Sequence, residues 1–394
     1  LDRDDLLMRG GLVLLIGWML VTLVLPLWAL LSKSFRNQNG EFVGLANYQQ
    51  YFATPSLVDS VWNSLYVSVV TTLIVLPLAF VYAYALQRSR MRFKGLFTAL
   101  ALIPILAPSL LPAISLVYLF GNQGLLKALL FGGSIYGAGG IIVAQVFYCF
   151  PHALMILVAA LSMADGRLYE AADALGASKL RVFFTVTLPG AKYGVISAGF
   201  VIFTLVVTDF GIAKVIGGRF NVLATDIFKQ VIGQQNFEMG AVVGFVLLIP
   251  AVVAFAANRI TERKQVALLS ARAVPHEPKP APLRDGLLFG FCAVVGGLIL
   301  GVLAVGISVV SISIGIKIAN SVSKPIGEIA RVASLLSDGD LDQHIAYTSK
   351  DEVGSMADAF RNMITYFQEM AEVANDLAAG DLTARLAITS TDEL

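Results

Sequence analysis

The chain has 394 residues, 57% of them hydrophobic and 14% charged, with 28 Lys and Arg against 27 Asp and Glu. So little charge cannot cover a soluble domain of this size, and a net charge of +1 leaves no electrostatic footprint for nucleic acid. A mean hydropathy of +0.77 places the chain among polytopic membrane proteins.

The chain begins at Leu1 rather than Met and ends at Leu394 inside a repeat, which reads as a fragment at both ends. Apolar stretches lie at 11–32, 61–86, 95–120, 138–162, 190–213 and 239–257, each near the roughly 20 residues a bilayer demands of a helix. The first lacks an Ala-x-Ala-like exit and is too long for a signal-peptide core, so it reads as a membrane anchor. Asn63, at the outer start of the second stretch, suits either the lining of a solute path or a hydrogen bond between helices. Pro77, Pro104, Pro108 and Pro112 predict kinked or broken helices. Cys149 and Cys292 sit in apolar runs and read as buried thiols. No Gly-x-x-x-x-Gly-Lys-Ser/Thr phosphate loop is present, and His152, His276 and His344 lack ligand spacing. No catalytic residue, cofactor or metal site is therefore expected, and the chain does not read as an enzyme.

Basic residues set the orientation. Arg88, Arg90, Arg92 and Lys94 follow the second stretch, Arg167, Lys179, Arg181 and Lys192 follow the fourth, and Arg259, Arg263 and Lys264 follow the sixth. Six spans with the N-terminus inside satisfy all three groups and make the loop 163–190 cytoplasmic. Its sequence includes 170-EAADALGASKLRVFFTVTLP-189. Asp165 can cap a short helix that Gly176 ends, and Ser178 can cap a second helix that Leu188-Pro189 is expected to stop. Ala171, Ala172 and Ala174 give a nearly bare face that another protein can approach, and Glu170 offers it a charge. An amphipathic helix lying on lipid headgroups is the alternative. Asp209, late in the fifth stretch, either faces a path or caps the turn before Gly211.

Glu170-Ala171-Ala172, three residues, Gly176, nine residues, Val186, one residue and Leu188-Pro189 resemble the EAA loop of bacterial ABC-importer permeases. The likeness extends over about residues 1–306, and stretches such as 209-DFGIAKVIGG-218 resemble the iron(III), thiamine and 2-aminoethylphosphonate permeases. The resemblance implies a type I permease bundle whose loop docks in a separate ATPase subunit that binds the ATP. Glu170, Ala171, Ala172 and Gly176 would form the docking surface, and Leu188 and Pro189 would fix its exit. A periplasmic or extracellular solute-binding protein, and a second permease half or homodimer partner, would complete the importer in the bacterial inner membrane.

A cytoplasmic linker over 261–285 leads to a seventh apolar segment over 286–318, which reads as the start of a second permease half or a receptor-like span. Its almost unbroken run from Leu287 to Ile318 would be about 48 Å long as one helix, more than a tilted span needs and short for two. Gly297 and Gly301 within it form a Gly-x-x-x-Gly pair, a close-packing signal. The tail then turns polar. Ile326, Ile329, Ala333 and Leu336, then Val353, Met356, Phe360, Met363, Phe367 and Met370, recur at coiled-coil spacing. Residues 330–353 and 371–394 repeat one another at about half their positions.

Lys324-Pro325, Gly339-Asp340-Leu341 and 351-DEVG-354 resemble a HAMP domain, here over 319–370 with a truncated second copy over 371–394. The resemblance implies that Pro325 starts the first helix, Leu341 and Ile345 pack the connector, and Glu352 touches its base, with Asp351 and Gly354 as the other signalling residues of that motif. HAMP domains work in the cytoplasm, whereas a seventh span would export this one. The fold class is thus all-α: a permease bundle of six spans over 1–260 plus one long apolar segment, followed by a HAMP coiled-coil unit. The function is that of an ABC-importer permease subunit. The alternatives are a HAMP-containing receptor or a chimeric product of the two.

Overall fold

Where apolar runs meet prolines decides how the helices of this chain divide. The computed structural model describes residues 3–163, 165–268 and 278–379. Among them there is no β-sheet, and an isolated bridge joins Arg36 to Phe42. The chain divides into two compact units, Leu1–Ile307 and Ser308–Leu394.

The first unit holds α1 (Arg3–Met19), α2 (Leu25–Lys33), α3 (Ala46–Ala53), α4 (Pro55–Arg88), α5 (Lys94–Leu102), α6 (Leu110–Phe120) and α7 (Ala138–Ser162). It continues with α8 (Gly166–Ala174), α9 (Lys179–Val182), α10 (Leu188–Thr208), α11 (Gly211–Ile216), α12 (Leu223–Phe228), α13 (Phe237–Leu268) and most of α14 (Pro282–Ile318). Among the described residues, six segments are long and apolar enough to cross a bilayer: Met8–Lys33, Pro55–Arg88, Ala138–Ser162, Lys179–Thr208, Phe237–Thr261 and Pro282–Ser337.

Two of the expected spans take a different form. The stretch 95–120 is bent by 99° between Lys94–Leu106 and Leu110–Phe120. Pro104 lies in a tight turn at Ile103–Leu106, and Ala107, just before Pro108, is extended at φ −100 and ψ 139. Proline excludes its predecessor from the helical region, so the break falls there. The stretch 190–213 ends as a helix at Thr208, and the chain restarts at Gly211. A Cβ on Gly211 would stand 2.8 Å from the Ser109 hydroxyl, so the bend of one segment fits the break of the other.

Helices α4, α7 and α10 pack on one another around Val75, Ala79, Tyr82, Leu154, Leu157 and Ile202, all buried. Small residues allow the approach: a Cβ on Gly194 would lie 2.3 Å from that of Ala160. Helix α13 lies against α10, α2 and α3. No described side chain of Met8–Lys33 is buried, so Trp18 and Trp28 stand exposed, as suits a lipid-facing anchor.

Helix α14 packs on the same core through Cys292, Gly296, Ile299, Leu303 and Gly306, spaced 4-3-4-3. A Cβ on Gly306 would lie 2.2 Å from Ser115 Oγ, whereas one on Gly297 or Gly301 meets nothing within 4 Å. The expected Gly-x-x-x-Gly pair is therefore not the contact, and the close approach falls at Gly306. A single residue turns a helix by about 100°, enough to take that pair off the buried stripe.

The second unit contains α15 (Lys324–Ser337) and α16 (Glu352–Ala378) around Ile329, Val332, Ile345, Ala357 and Ile364. The expected seams divide. Ile329 is buried and Met356 and Phe360 pack on this core, but Ile326, Phe367 and Met370 remain exposed. Val332, Ala357 and Ile364, outside the seams, take their places. Of the second repeat, residues 380–394 lie outside the described residues.

Candidate functional site

The loop 163–190 is a helical hairpin built by local capping. The Asp165 carboxylate accepts from the Arg167 amide at 3.1 Å and opens α8. Gly176 closes it with a φ of +69. The Gly176 amide donates to the Asp173 carbonyl and the Ala177 amide to the Ala172 carbonyl, both at 3.0 Å, which is a complete Schellman cap. Ser178 Oγ then accepts from the Arg181 amide at 3.3 Å and starts α9.

Leu188-Pro189 does not stop this second helix. The Leu188 amide reaches back five residues to the Phe183 carbonyl in a π-helical turn at Phe183–Thr187, and α10 continues from it. In a regular helix the Pro189 ring would collide with the Thr185 carbonyl; the wider turn makes room. The hairpin thus passes into a membrane helix without a break.

Glu170, Ala171 and Gly176 are exposed and Ala172 is half-buried. Around them stand three leucines, Leu168 at 58%, Leu175 at 86% and Leu180 at 70% exposure. Sequence reasoning passed over these; their signal is apolar side chains at positions where a helix on the polar side should carry charge. It also missed what holds the hairpin down. Tyr169 is buried, its hydroxyl donates to Thr187 Oγ1 at 3.1 Å, and the Arg88 guanidinium lies 4.9 Å above its ring. Arg88 Nη2 also donates to the Leu161 carbonyl at 2.7 Å. Lys279 pairs with Asp173 at 2.7 Å, and this hydrogen bond raises the lysine's pKa.

Asp209 and Asn63 lie at the opposite end of the bundle. Asp209 Oδ2 accepts from the Ile212 amide at 2.9 Å and from Gln145 Nε2 at 3.1 Å, so the carboxylate caps α11. Asn63 Nδ2 donates to the Asn221 carbonyl at 3.0 Å, tying α4 to the chain before α12. The two are not brought together with the loop residues.

In the second unit Pro325 occupies the first turn of α15, and Ile345 is buried. Leu341 is half-buried, and Gln368 Nε2 donates to its carbonyl at 2.7 Å. Asp351 caps α16 by accepting from the Gly354 amide at 2.8 Å, which lowers the carboxyl pKa. Gly354 must lack a side chain: a Cβ there would lie 2.0 Å from the Ser349 carbonyl oxygen. Glu352 is exposed. Arg361 Nη1, which the motif reading missed, donates to the carbonyls of Ile345 and Tyr347 at 3.0 and 2.8 Å and clasps the connector to α16.

Among the described residues no group of His, Cys, Asp and Glu has the arrangement of a metal site. Residues 75–266 match the model of the binding-protein-dependent transport system inner membrane component family, and residues 317–369 and 361–394 match the HAMP domain. The spermidine/putrescine transport system permease protein PotB of Haemophilus influenzae is 25% identical over 64% of this chain and 94% of its own length. The molybdenum transport system permease protein ModB of Azotobacter vinelandii is 30% identical over 47% of this chain and 86% of its own length. A crystal structure of a bacterial alginate ABC transporter with a periplasmic protein carrying an alginate pentasaccharide shares the fold. It aligns with a TM-score of 0.54 at 15% identity, covering 67% of this chain and 96% of that one.

Proposed function

Because the chain belongs to the family of binding-protein-dependent transport system inner membrane components, we propose that a separate ATPase subunit docks on its loop 163–190. The chain is a permease subunit of an ATP-binding-cassette importer, a multi-pass protein of the inner membrane. The observation that carries the docking reading is the capped hairpin, which presents Glu170, Ala171, Leu168, Leu175 and Leu180 while Tyr169 and Arg88 fix it to the bundle. An exposed apolar patch with one acidic grip suits a protein cleft better than water. The α9 helix runs through the π-helical turn into α10. A push on the hairpin therefore reaches a membrane helix without a flexible joint.

On this reading ATP is bound and hydrolysed by the partner, and a periplasmic or extracellular binding protein delivers the solute. A second permease subunit, a copy or a homologous chain, completes the path, with Asp209 and Asn63 bordering its outer end. Glu170→Arg places a like charge where a basic partner would grip, and co-purification of the ATPase with the tagged permease is expected to fall at least tenfold, since lost or repelled charge pairs of this kind are worth about 1.5–3 kcal/mol. Unchanged co-purification would refute the docking site.

The HAMP match supports a second role beside transport. We infer that the exposed Ile326, Phe367 and Met370 meet a second copy, as coiled-coil seams do.

A further inference from the structure

Behind the coupling hairpin, between it and the start of α14, lies a cavity of about 370 Å³. Arg88, Lys179, Lys279 and Arg284 line it, against one carboxylate, Asp173. Lys279 is paired with Asp173 at 2.7 Å, and Arg284 with Asp285 at 2.9 Å. Arg88 and Lys179 are left without an acidic partner among the described residues.

Arg88 is the unusual member. It is only 4% exposed, and its Nε has no hydrogen-bond partner among the described residues. A carbonyl and the face of Tyr169 are what it has. A buried guanidinium without a counter-charge is costly, and an oxyanion is the group its planar fork matches. Tyr169 and Thr187, already joined by their hydroxyls, supply further polar wall.

We propose that this cavity binds a phosphate group between Arg88 and Lys179. The group would bridge the end of α4, the coupling hairpin and residues 279–284. Occupancy would stiffen the base of the hairpin without covering Glu170 or Leu175. Arg88 ends a membrane span, so the cavity lies at the membrane interface, within reach of both a lipid headgroup and a soluble phosphate.

Binding is read on the purified full chain alone, so the outcome does not depend on whether an ATPase docks on the loop. Thermal melting is followed in detergent with sodium phosphate against sodium chloride at matched ionic strength. It is repeated in phosphatidylcholine nanodiscs with and without phosphatidylglycerol. A saturable rise in melting temperature with inorganic phosphate assigns the site to a soluble anion; a rise confined to phosphatidylglycerol assigns it to a headgroup. In either case Lys179→Gln is expected to shift the midpoint to about tenfold higher concentration, the loss of one charge-assisted hydrogen bond. Lys179 is exposed, so this variant folds even where Arg88→Gln does not. No saturable rise in either medium, or a rise that Lys179→Gln leaves unchanged, would overturn the proposal.

Discussion

Asp209 shows how one carboxylate suits two roles that differ in chemistry. A path residue uses charge; a cap uses an acceptor oxygen. The bond from the Ile212 amide to Asp209 Oδ2 is that of a cap, and the side chains of Gln145 and Ser109 donate to the same carboxylate. Asn keeps such an oxygen and Ala does not. Asp209→Asn is therefore expected to melt with the parent chain, and Asp209→Ala to lose about 1 kcal/mol, the usual worth of a cap, and to melt a few degrees lower. If both variants fall equally in thermal melting, charge at this position matters more than capping. At this scale the sequence was most readable where a residue acts on its neighbours. Asp165, Gly176 and Ser178 cap the turns their identities announce, because cap chemistry spans three or four residues. The Arg88–Leu161 bond joins groups 73 positions apart, and nothing local in either residue points to the other.

Among elements, hydropathy located every membrane segment but not its shape. The run 95–120 is apolar enough to span, yet only the conformation forced on Ala107 by Pro108 explains the 99° bend. Pro189 shows the reverse error: a proline expected to end a helix is absorbed by a π-helical turn. The HAMP seams were visible as spacing, but spacing does not say which face meets the same chain. Val332 and Ala357 fill the inner face, and part of the seam is left outside. The base of α16 supports a prediction of its own. Asp351 has its pKa lowered by the Gly354 amide it accepts from. A lowered carboxyl pKa stabilises the fold above the unfolded value, near 3.9, and that contribution is lost as pH falls through the still lower folded value. Hydrogen-exchange protection at 352–356 in the full chain should be level from pH 7 to about 5 and drop below the ordinary aspartate range. Asp351→Asn should remove that drop. Protection that falls with the same profile in both chains would mean another group controls it.

The whole molecule raises a question of sides that contacts within the bundle answer. Arg88 at the end of α4 touches Leu161 at the end of α7 and Tyr169 in the hairpin, so these share one face with the hairpin. At the other face the Gly137 amide donates to the Ile216 carbonyl, the Leu223 amide to Ser64 Oγ, and Lys33 lies over Phe237. Despite its bend, the chain from Lys94 to Phe120 must therefore make a net crossing. Helix α14 starts on the hairpin's face, where Arg284 lines the cavity beside Asp173. It passes Phe97 and Leu100, then reaches Leu111 and Ser115 at Gly306. Those residues adjoin Ser109 and Leu110, which meet Gly211 beyond the outer end of α10. From Arg284 to Gly306 a helix rises about 33 Å, one hydrocarbon thickness. Ile307 should then stand at the outer face, against the cytoplasmic side implied by the HAMP resemblance. Cys149 and Cys292 are both fully buried and give little background to thiol labelling. A membrane-impermeant maleimide added to spheroplasts is expected to label Ile307→Cys directly, and Glu170→Cys only after permeabilisation. Labelling of Ile307→Cys that also waits for permeabilisation would show that α14 does not cross with the bundle, and would restore the HAMP segment to the side on which its relatives work.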